Sequence, residues 1–312
     1  MAALPINIHL PQGFLDEETR CDYLISSEMK AVWAVELDLI SEFQRVCEKH
    51  HLTYYASGGT MLGAMRHKGF IPWDDDVDLM MMRSEYEKLC QIAPKEFTGR
   101  YFWQTEQTDH YSARGHAQLR NSETTGILLS EEKTKLSFNQ GIFIDIFPMD
   151  NIPDDPQEKD RFYDDLSRLR ADYRAEKDIA FDYHFEWRKD FIRPIGRFLK
   201  HCVHRYFLKN KYDQDFNAYE ALAKTYMNES TERVVLTPFY IPRYTWEVDL
   251  FSSYTMEPFE FMSIPIPCGY DRILSIQYKD WHTFVKGGNI HGGVIFDPYK
   301  PYTEYSRYES YM

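Results

Sequence analysis

Residues 58–82 read GGTMLGAMRHKGFIPWDDDVDLMMM. A glycine pair opens a short run with helical spacing, a basic turn follows at Arg66, His67 and Lys68, and four aspartates then fall within five positions: Asp74, Asp75, Asp76 and Asp78. Val77, Leu79 and Met81 alternate with Asp76, Asp78 and Met80. That is the period of a β-strand, so Asp76 and Asp78 share a face. Two carboxylates on one rigid face repel unless a cation lies between them. Oxygen ligands at that spacing suit Mg²⁺ or Mn²⁺.

Three readings compete for this stretch. A solvated acidic turn is the usual meaning of a charge run, but it leaves the apolar strand and the glycine pair unexplained. An EF-hand loop would place Asp74, Asp76, Asp78 and Glu85 at ligand positions 1, 3, 5 and 12, yet the required glycine at position 6 is Leu79. A nucleotidyltransferase-type site accounts for both halves. In such a site a Gly-Gly helix start cradles phosphates with backbone N–H groups while strand carboxylates hold a metal.

The same residues resemble the signature of the LicD family of phosphocholine transferases, which fukutin-related proteins share. The motif is long and far more specific than a bare Gly-Gly or Asp-x-Asp. The resemblance implies a nucleotidyltransferase-like fold and the transfer of phosphocholine from CDP-choline, or phosphoribitol from CDP-ribitol, onto glycans. It extends over most of the chain except about 160–230. The C-terminal stretch from Pro258 through Tyr305 shares the proline turn, tyrosines and final histidine, but Tyr278-Lys279-Asp280-Trp281 departs from the commoner YGDY-like helix end.

The 312 residues suffice for a large core, as one elaborated domain or as a core with an accessory lobe. A net charge of −13 argues against nucleic-acid binding, which needs a basic footprint. A small nucleotide carried with its own cation remains compatible. Five scattered cysteines without a C-x-x-C pair fit reduced thiols in a cytoplasm. The start lacks a signal-peptide pattern and no apolar run approaches 18 residues. These features predict a cytoplasmic protein.

Along the chain, apolar spacing predicts a helix from Ser27 to about Cys47 with Glu and Lys on its outer face. A strand at Leu52–Ala56 runs into the glycine pair, and Thr60–Arg66 makes a short helix. Ser84 and Glu87 form a capping-box pattern for a helix to Ile92, ended by Pro94 and Gly99. Strands follow at Tyr101–Gln104 and His116–Arg120. We place Arg120 on a phosphate, since a guanidinium fork matches phosphate oxygens; a salt bridge is its alternative. Gly141–Phe147 reads GIFIDIF, and a lone carboxylate in so apolar a strand is costly unless paired or metal-bound. If this strand lies beside Asp76–Asp78, Asp145 completes a three-carboxylate site, as in fold relatives. The alternative is a cap before Pro148.

Asp155 and Pro156 predict a helix start and a lobe boundary, dividing a catalytic core (1–155) from a helical accessory and substrate-binding portion (156–312), or else marking a turn within one integrated domain. Residues 187–211 carry eight Lys and Arg against one Asp with apolar residues at helical spacing. Such a segment lies on a membrane surface or packs as a helix with a basic face. A choline cage among Tyr270, Tyr278, Trp281 and Tyr299 competes with simple core packing of the 23 tyrosines.

Together these readings predict an α/β fold, a nucleotidyltransferase-like mixed sheet with packed helices. Asp76, Asp78 and Asp145, with Asp74, would hold Mg²⁺ or Mn²⁺, and Asp145 would serve as base. Gly58, Gly59 and Thr60 would bind phosphates, with Arg66, His67, Lys68 and Arg120 supplying positive charge. The expected partners are a CDP-alcohol donor and a glycan acceptor, lipid-linked in some cases, reached at the inner membrane face through 188–211. The alternatives are a nucleotidyltransferase acting on a sugar or small-molecule hydroxyl, and a non-catalytic binding protein on the same fold.

Overall fold

The computed structural model describes residues 3–184, 192–286 and 293–305. In chain order come β1 (Glu18–Arg20), β2 (Tyr23–Ile25), α1 (Ser27–Lys49), β3 (Tyr55–Ala56), α2 (Gly58–His67), β4 (Asp78–Met82), α3 (Arg83–Glu96), β5 (Tyr101–Gln104), β6 (Ala117–Asn121), β7 (Thr125–Leu128) and β8 (Ile142–Asn151). There follow α4 (Pro156–Ala180), α5 (Ile192–Cys202), α6 (Lys211–Ala223), β9 (Arg233–Leu236), β10 (Thr245–Glu247), β11 (Tyr254–Phe259), β12 (Met262–Pro267), α7 (Tyr270–Tyr278) and β13 (Val294–Asp297). This is the mixed α/β class expected. No helix of the described residues is long and apolar enough to cross a membrane.

β8 is the axis of the sheet. Along one edge it pairs in parallel with β4, which pairs with β3. Its other edge is shared by two antiparallel neighbours: β6 covers Ile142–Ile146, and β9 covers Met149–Asn151. β5 and β10 flank these. Pro148 sits inside β8, opposite Met81, so the strand runs straight through it and Asp145 caps no turn.

α1 packs on this sheet more deeply than its amphipathic pattern predicts. Every residue from Lys30 to Ile40 is buried, including Lys30, Glu36 and Asp38. The reason is the N-terminal lead-in, which wraps the expected outer face. Asn7 and Ile8 donate their N–H groups to Asp38 Oδ1, the Tyr101 hydroxyl donates to Oδ2, and Lys30 donates to Glu18 while lying over the Phe14 ring. Burial of Trp33, Leu37 and Ile40 here contributes roughly 1.5–3 kcal/mol each.

The predicted capping box is not used. α3 begins one residue earlier, at Arg83, with no side-chain cap at Met82, and runs through Pro94 to Glu96. Glu87 turns instead to Arg83 and Lys224. Arg83 is buried and grips Asp150 of β8 with two hydrogen bonds, 2.5 and 2.9 Å long.

Asp155 caps α4 through the N–H groups of Gln157 and Glu158, as its sequence predicts. The sheet does not stop there, however. β9 and β10 return from the second half of the chain to complete it, so the portion after 155 is knitted into the same sheet. α4 and α6 enclose a second core rich in tyrosine, with Tyr173, Tyr212, Tyr219 and Tyr240 buried around Phe162 and Leu166. Core packing thus accounts for many of the tyrosines.

Candidate active site

Asp78 begins β4 and stands directly opposite Asp145 on the parallel strand β8. Pairing extends one residue further back, because the Asp145 N–H donates to the Val77 carbonyl at 2.8 Å. Asp76 lies two residues ahead of β4 and not within it, so the strand face expected for Asp76 and Asp78 begins only at Asp78. Burial, followed by the charges of Asp76, Asp145 and Asp74, lifts the Asp78 carboxyl well above its ordinary range.

Asp145 shifts the other way. Burial alone would raise it, but the His116 imidazole and the Gln118 amide outweigh that and hold it below the usual carboxylate value. His116 Nε2 lies 3.0 Å from Asp145 Oδ1, and Gln118 Nε2 donates to the same oxygen at 2.7 Å. Acceptance by a carboxylate puts the imidazole proton on Nε2. Two neighbouring carboxyls driven apart in this way suit one to remain ionised while the other is neutralised.

The start of α2 closes over this pair. Ser57 N–H donates to the Asp78 carbonyl and Asp78 N–H donates to Thr60 Oγ1, each at 2.9 Å, so the first turn of the helix is tied to the first residue of β4. Glycine suits the junction. Gly58 has φ +49, and a Cβ on it would stand 3.3 Å from Asp78 Oδ2; one on Gly59 would stand 2.8 Å from Asp74 Oδ2. The first amides of a helix lie outside its own hydrogen-bond ladder, so this end suits an anion.

The basic turn is placed differently from expectation. Arg66 reaches from α2 toward the Trp281 and Thr283 carbonyls and lies over the Phe284 ring. His67 carries no charge at neutral pH, because burial, Arg66 and Arg20 lower its pKa to about 4. Lys68 is exposed, 3.6 Å from Glu257. Arg120 is wholly buried, so its phosphate role is corrected by geometry: its nitrogens donate to Gln104, the Gly141 carbonyl and Gln118, and its guanidinium lies over Phe143. Through Gln118 it braces Asp145.

Several residues were missed. His116, Gln118 and Arg120 share one face of the strand by period-2 alternation, and Gln118 is the register partner of Asp145. That shared face was the available signal. Glu36 is buried in α1 with Oε2 unpartnered, and its carboxyl is raised by burial and then by Asp75, Asp76, Asp74 and Asp78. Only the fold brings it under the acidic turn. Tyr278, half-buried near Asp78 and Asp74, comes within 3.8 Å of a Cβ on Gly58. Its ring is already covered by Arg243, 5.5 Å away. Trp281 packs against Tyr270 and donates to Asp271, while Tyr299 stands beyond β13 in the separate β7–β13 pair. Tyr270 and Trp281 thus pair with each other, while the Tyr278 ring meets Arg243.

Among the described residues, no three acidic, histidine or cysteine side chains stand close enough to enclose an ion as they are. The donor set nonetheless fits a hard divalent cation, which would relieve the repulsion that lifts Asp78.

Residues 51–203, the segment holding the glycine pair, Asp74, Asp75, Asp76, Asp78 and Asp145, match the LicD/FKTN/FKRP nucleotidyltransferase domain. The chain carries a LicD-family domain. Over 127 residues it is 32% identical to the lipopolysaccharide cholinephosphotransferase LicD of Haemophilus influenzae, spanning 39% of this chain and 44% of that protein. An uncharacterized protein of Rickettsia prowazekii is 29% identical over 110 residues, 35% of this chain and 39% of its own. Another from Rickettsia typhi is 36% identical over 69 residues, 22% of each chain. The chain thus spans less than half the length of the curated relatives it matches. In LicD terms, the match ends at Cys202–Val203, within the helical portion beyond β8.

Proposed function

We propose that the protein transfers a phospho-alcohol group, phosphocholine or a phosphopolyol, from a CDP-linked donor to a glycan hydroxyl and releases CMP. The observation that carries this reading is the Asp78–Asp145 pair beneath the start of α2, inside the LicD domain. Asp76, Asp78 and Asp145, with Asp74, would hold Mg²⁺ or Mn²⁺. Such an ion supplies charge neutralisation of a pyrophosphate and of the oxygens that enter and leave.

The chain's own groups account for the rest. Helix-start amides at Gly58, Gly59 and Thr60 orient the donor phosphates. The acceptor oxygen attacks the distal phosphorus, the bond to the CMP oxygen breaks, and the acceptor proton passes to Asp145. Because His116 and Gln118 both bind Oδ1, Oδ2 is left for that proton. Incubation with CDP-choline or a CDP-polyol, a glycan and Mg²⁺ should yield CMP and a phosphoalcohol-bearing glycan by mass spectrometry. A nucleotide joined to the acceptor would instead mark a nucleotidyltransferase.

We further infer that a lipid-linked acceptor is met at an anionic membrane surface. Of the basic segment 188–211, residues 188–191 lie outside the described residues. In the remainder, Ile195, Leu199 and Val203 are exposed on and just after α5, with Tyr206 and Phe207 beyond them. Exposed Arg197, Lys200, Arg205 and Lys209 surround this apolar stripe. Apolar groups ringed by cations in a protein of net charge −13 complement anionic headgroups.

A further inference from the structure

A cavity of about 120 Å³ lies between the start of β6 and the middle of α4. It is unlike the rest of this acidic protein. Arg114, Arg170, Arg174 and Lys177 line it, opposed by Glu131 and Asp178. Arg170, Arg174 and Lys177 follow one another at four- and three-residue steps, so a single face of α4 aims all three into it.

Arg114 is the anchor. Its side chain is 10% exposed, and one end is committed to Glu131 through two bonds of 2.7 and 2.9 Å. Glu131 is thereby neutralised and held below its usual pKa range: burial raises it, but Arg114, Arg120 and Lys177 overcome that. The other end, Nε, is buried without a hydrogen-bond partner, as is Nε of Arg170. Unmade bonds from buried guanidinium groups are costly. A small anion would satisfy them. The lining is mainly polar, and the space is enough for a phosphate group.

The position of the cavity says whose phosphate it takes. His116 lines it and also holds Asp145, so the cavity and the reacting carboxylate share one side chain. β6 lies along the edge of β8 opposite to β4, whereas the α2 start lies against β4. The cavity therefore flanks Asp145 on the side away from the donor-binding glycines.

We infer that this cavity is a phosphate-binding subsite for an acceptor that itself carries a phosphate group. The anion site stands on the cavity alone; its assignment to the acceptor rests on the transfer reading above.

Inorganic phosphate is the probe, titrated calorimetrically into the whole protein in chloride buffer, with CMP and Mg²⁺ titrated separately. The wild type should bind phosphate, and should do so equally well when saturated with CMP. A hexose phosphate should bind more tightly than the unphosphorylated hexose. R170Q and K177Q should each weaken phosphate binding at least tenfold and leave CMP affinity unchanged. R174Q, a change on the exposed flank of α4, keeps the test available if a more buried change disturbs folding. The inference is overturned if the wild type binds no phosphate, if the variants bind it as well as the wild type, or if CMP displaces it, which would put the anion in the donor site. If phosphate binds and the variants lose it while CMP never binds, the subsite stands and the CDP-donor reading falls.

Discussion

Asp78 and Asp145 sit side by side at the same register on parallel strands, and their carboxyls are driven in opposite directions, Asp78 up and Asp145 down. The asymmetry leaves Asp145 ionised, the form in which a carboxyl can accept a proton. Its source is visible: Asp145 has His116 and Gln118 beside it, while Asp78 has burial and three other carboxylates.

Asp76→Ala, Asp78→Ala and Asp145→Ala should each reduce turnover to background, whereas Asp75→Ala should retain most of it. EDTA should abolish activity and Mg²⁺ or Mn²⁺ should restore it. Steady-state assays of CMP release decide this, and full activity in Asp78→Ala would sink the proposed site. Asp78→Asn should also raise the melting temperature of the metal-free protein at neutral pH, because burial and the neighbouring carboxylates make the ionised form of Asp78 costly and an amide avoids that cost.

His116→Ala should lower kcat about 10- to 100-fold, the usual loss when a group orienting an active carboxylate is removed. KM for the donor should change little. A variant with wild-type kcat would show that His116 only fills space beside Phe147.

His67 makes a separable pH prediction. Its folded pKa is about 4, lowered chiefly by burial, against an unperturbed value near 6.5. The unfolded chain therefore binds the proton first. Its contribution to stability is complete above pH 6.5 and is lost as pH falls from there through 4. An NMR titration should find the ring neutral at pH 6; a cationic ring at that pH contradicts the buried setting.

Arg83→Met should destabilise the fold by about 3–5 kcal/mol, since it strands Asp150 as an uncompensated buried charge. Urea unfolding reads this directly. Arg83→Met/Asp150→Leu together should recover much of the loss.

Arg197→Glu/Lys200→Glu should abolish sedimentation with anionic vesicles while sparing turnover on a water-soluble acceptor. Binding should weaken as salt rises, because the attraction is screened. Absence of wild-type sedimentation at low salt would leave α5 without a lipid partner.

Much of the fold was legible because local pattern and packing agree in the regular elements. α1, α4, β6 and β8 fall where spacing and caps put them. The apolar run at 141–147 likewise pointed to Asp145 as the strand neighbour of the acidic motif, and it pairs opposite Asp78. What eluded the sequence depends on long-range contact. Arg120 reads as a surface cation, yet β5 and β8 close over it and supply acceptors for its nitrogens. Glu36 reads as the solvent face of a helix until the acidic turn is brought over it. Arg243 meets Tyr278 from a turn that no periodicity links to α7.

The shared edge of β8 sets a timetable for synthesis. β9, which must cover Met149–Asn151, leaves the ribosome on the order of 80 residues later, a wait of roughly ten seconds at ordinary elongation rates. Throughout that interval the strand carrying Asp145 offers unpaired backbone groups beside Met149, an invitation to the wrong neighbour. The nascent chain is thus most exposed to misassembly at the strand on which its proposed chemistry depends, and a pause in translation between α4 and β9 would lengthen that exposure.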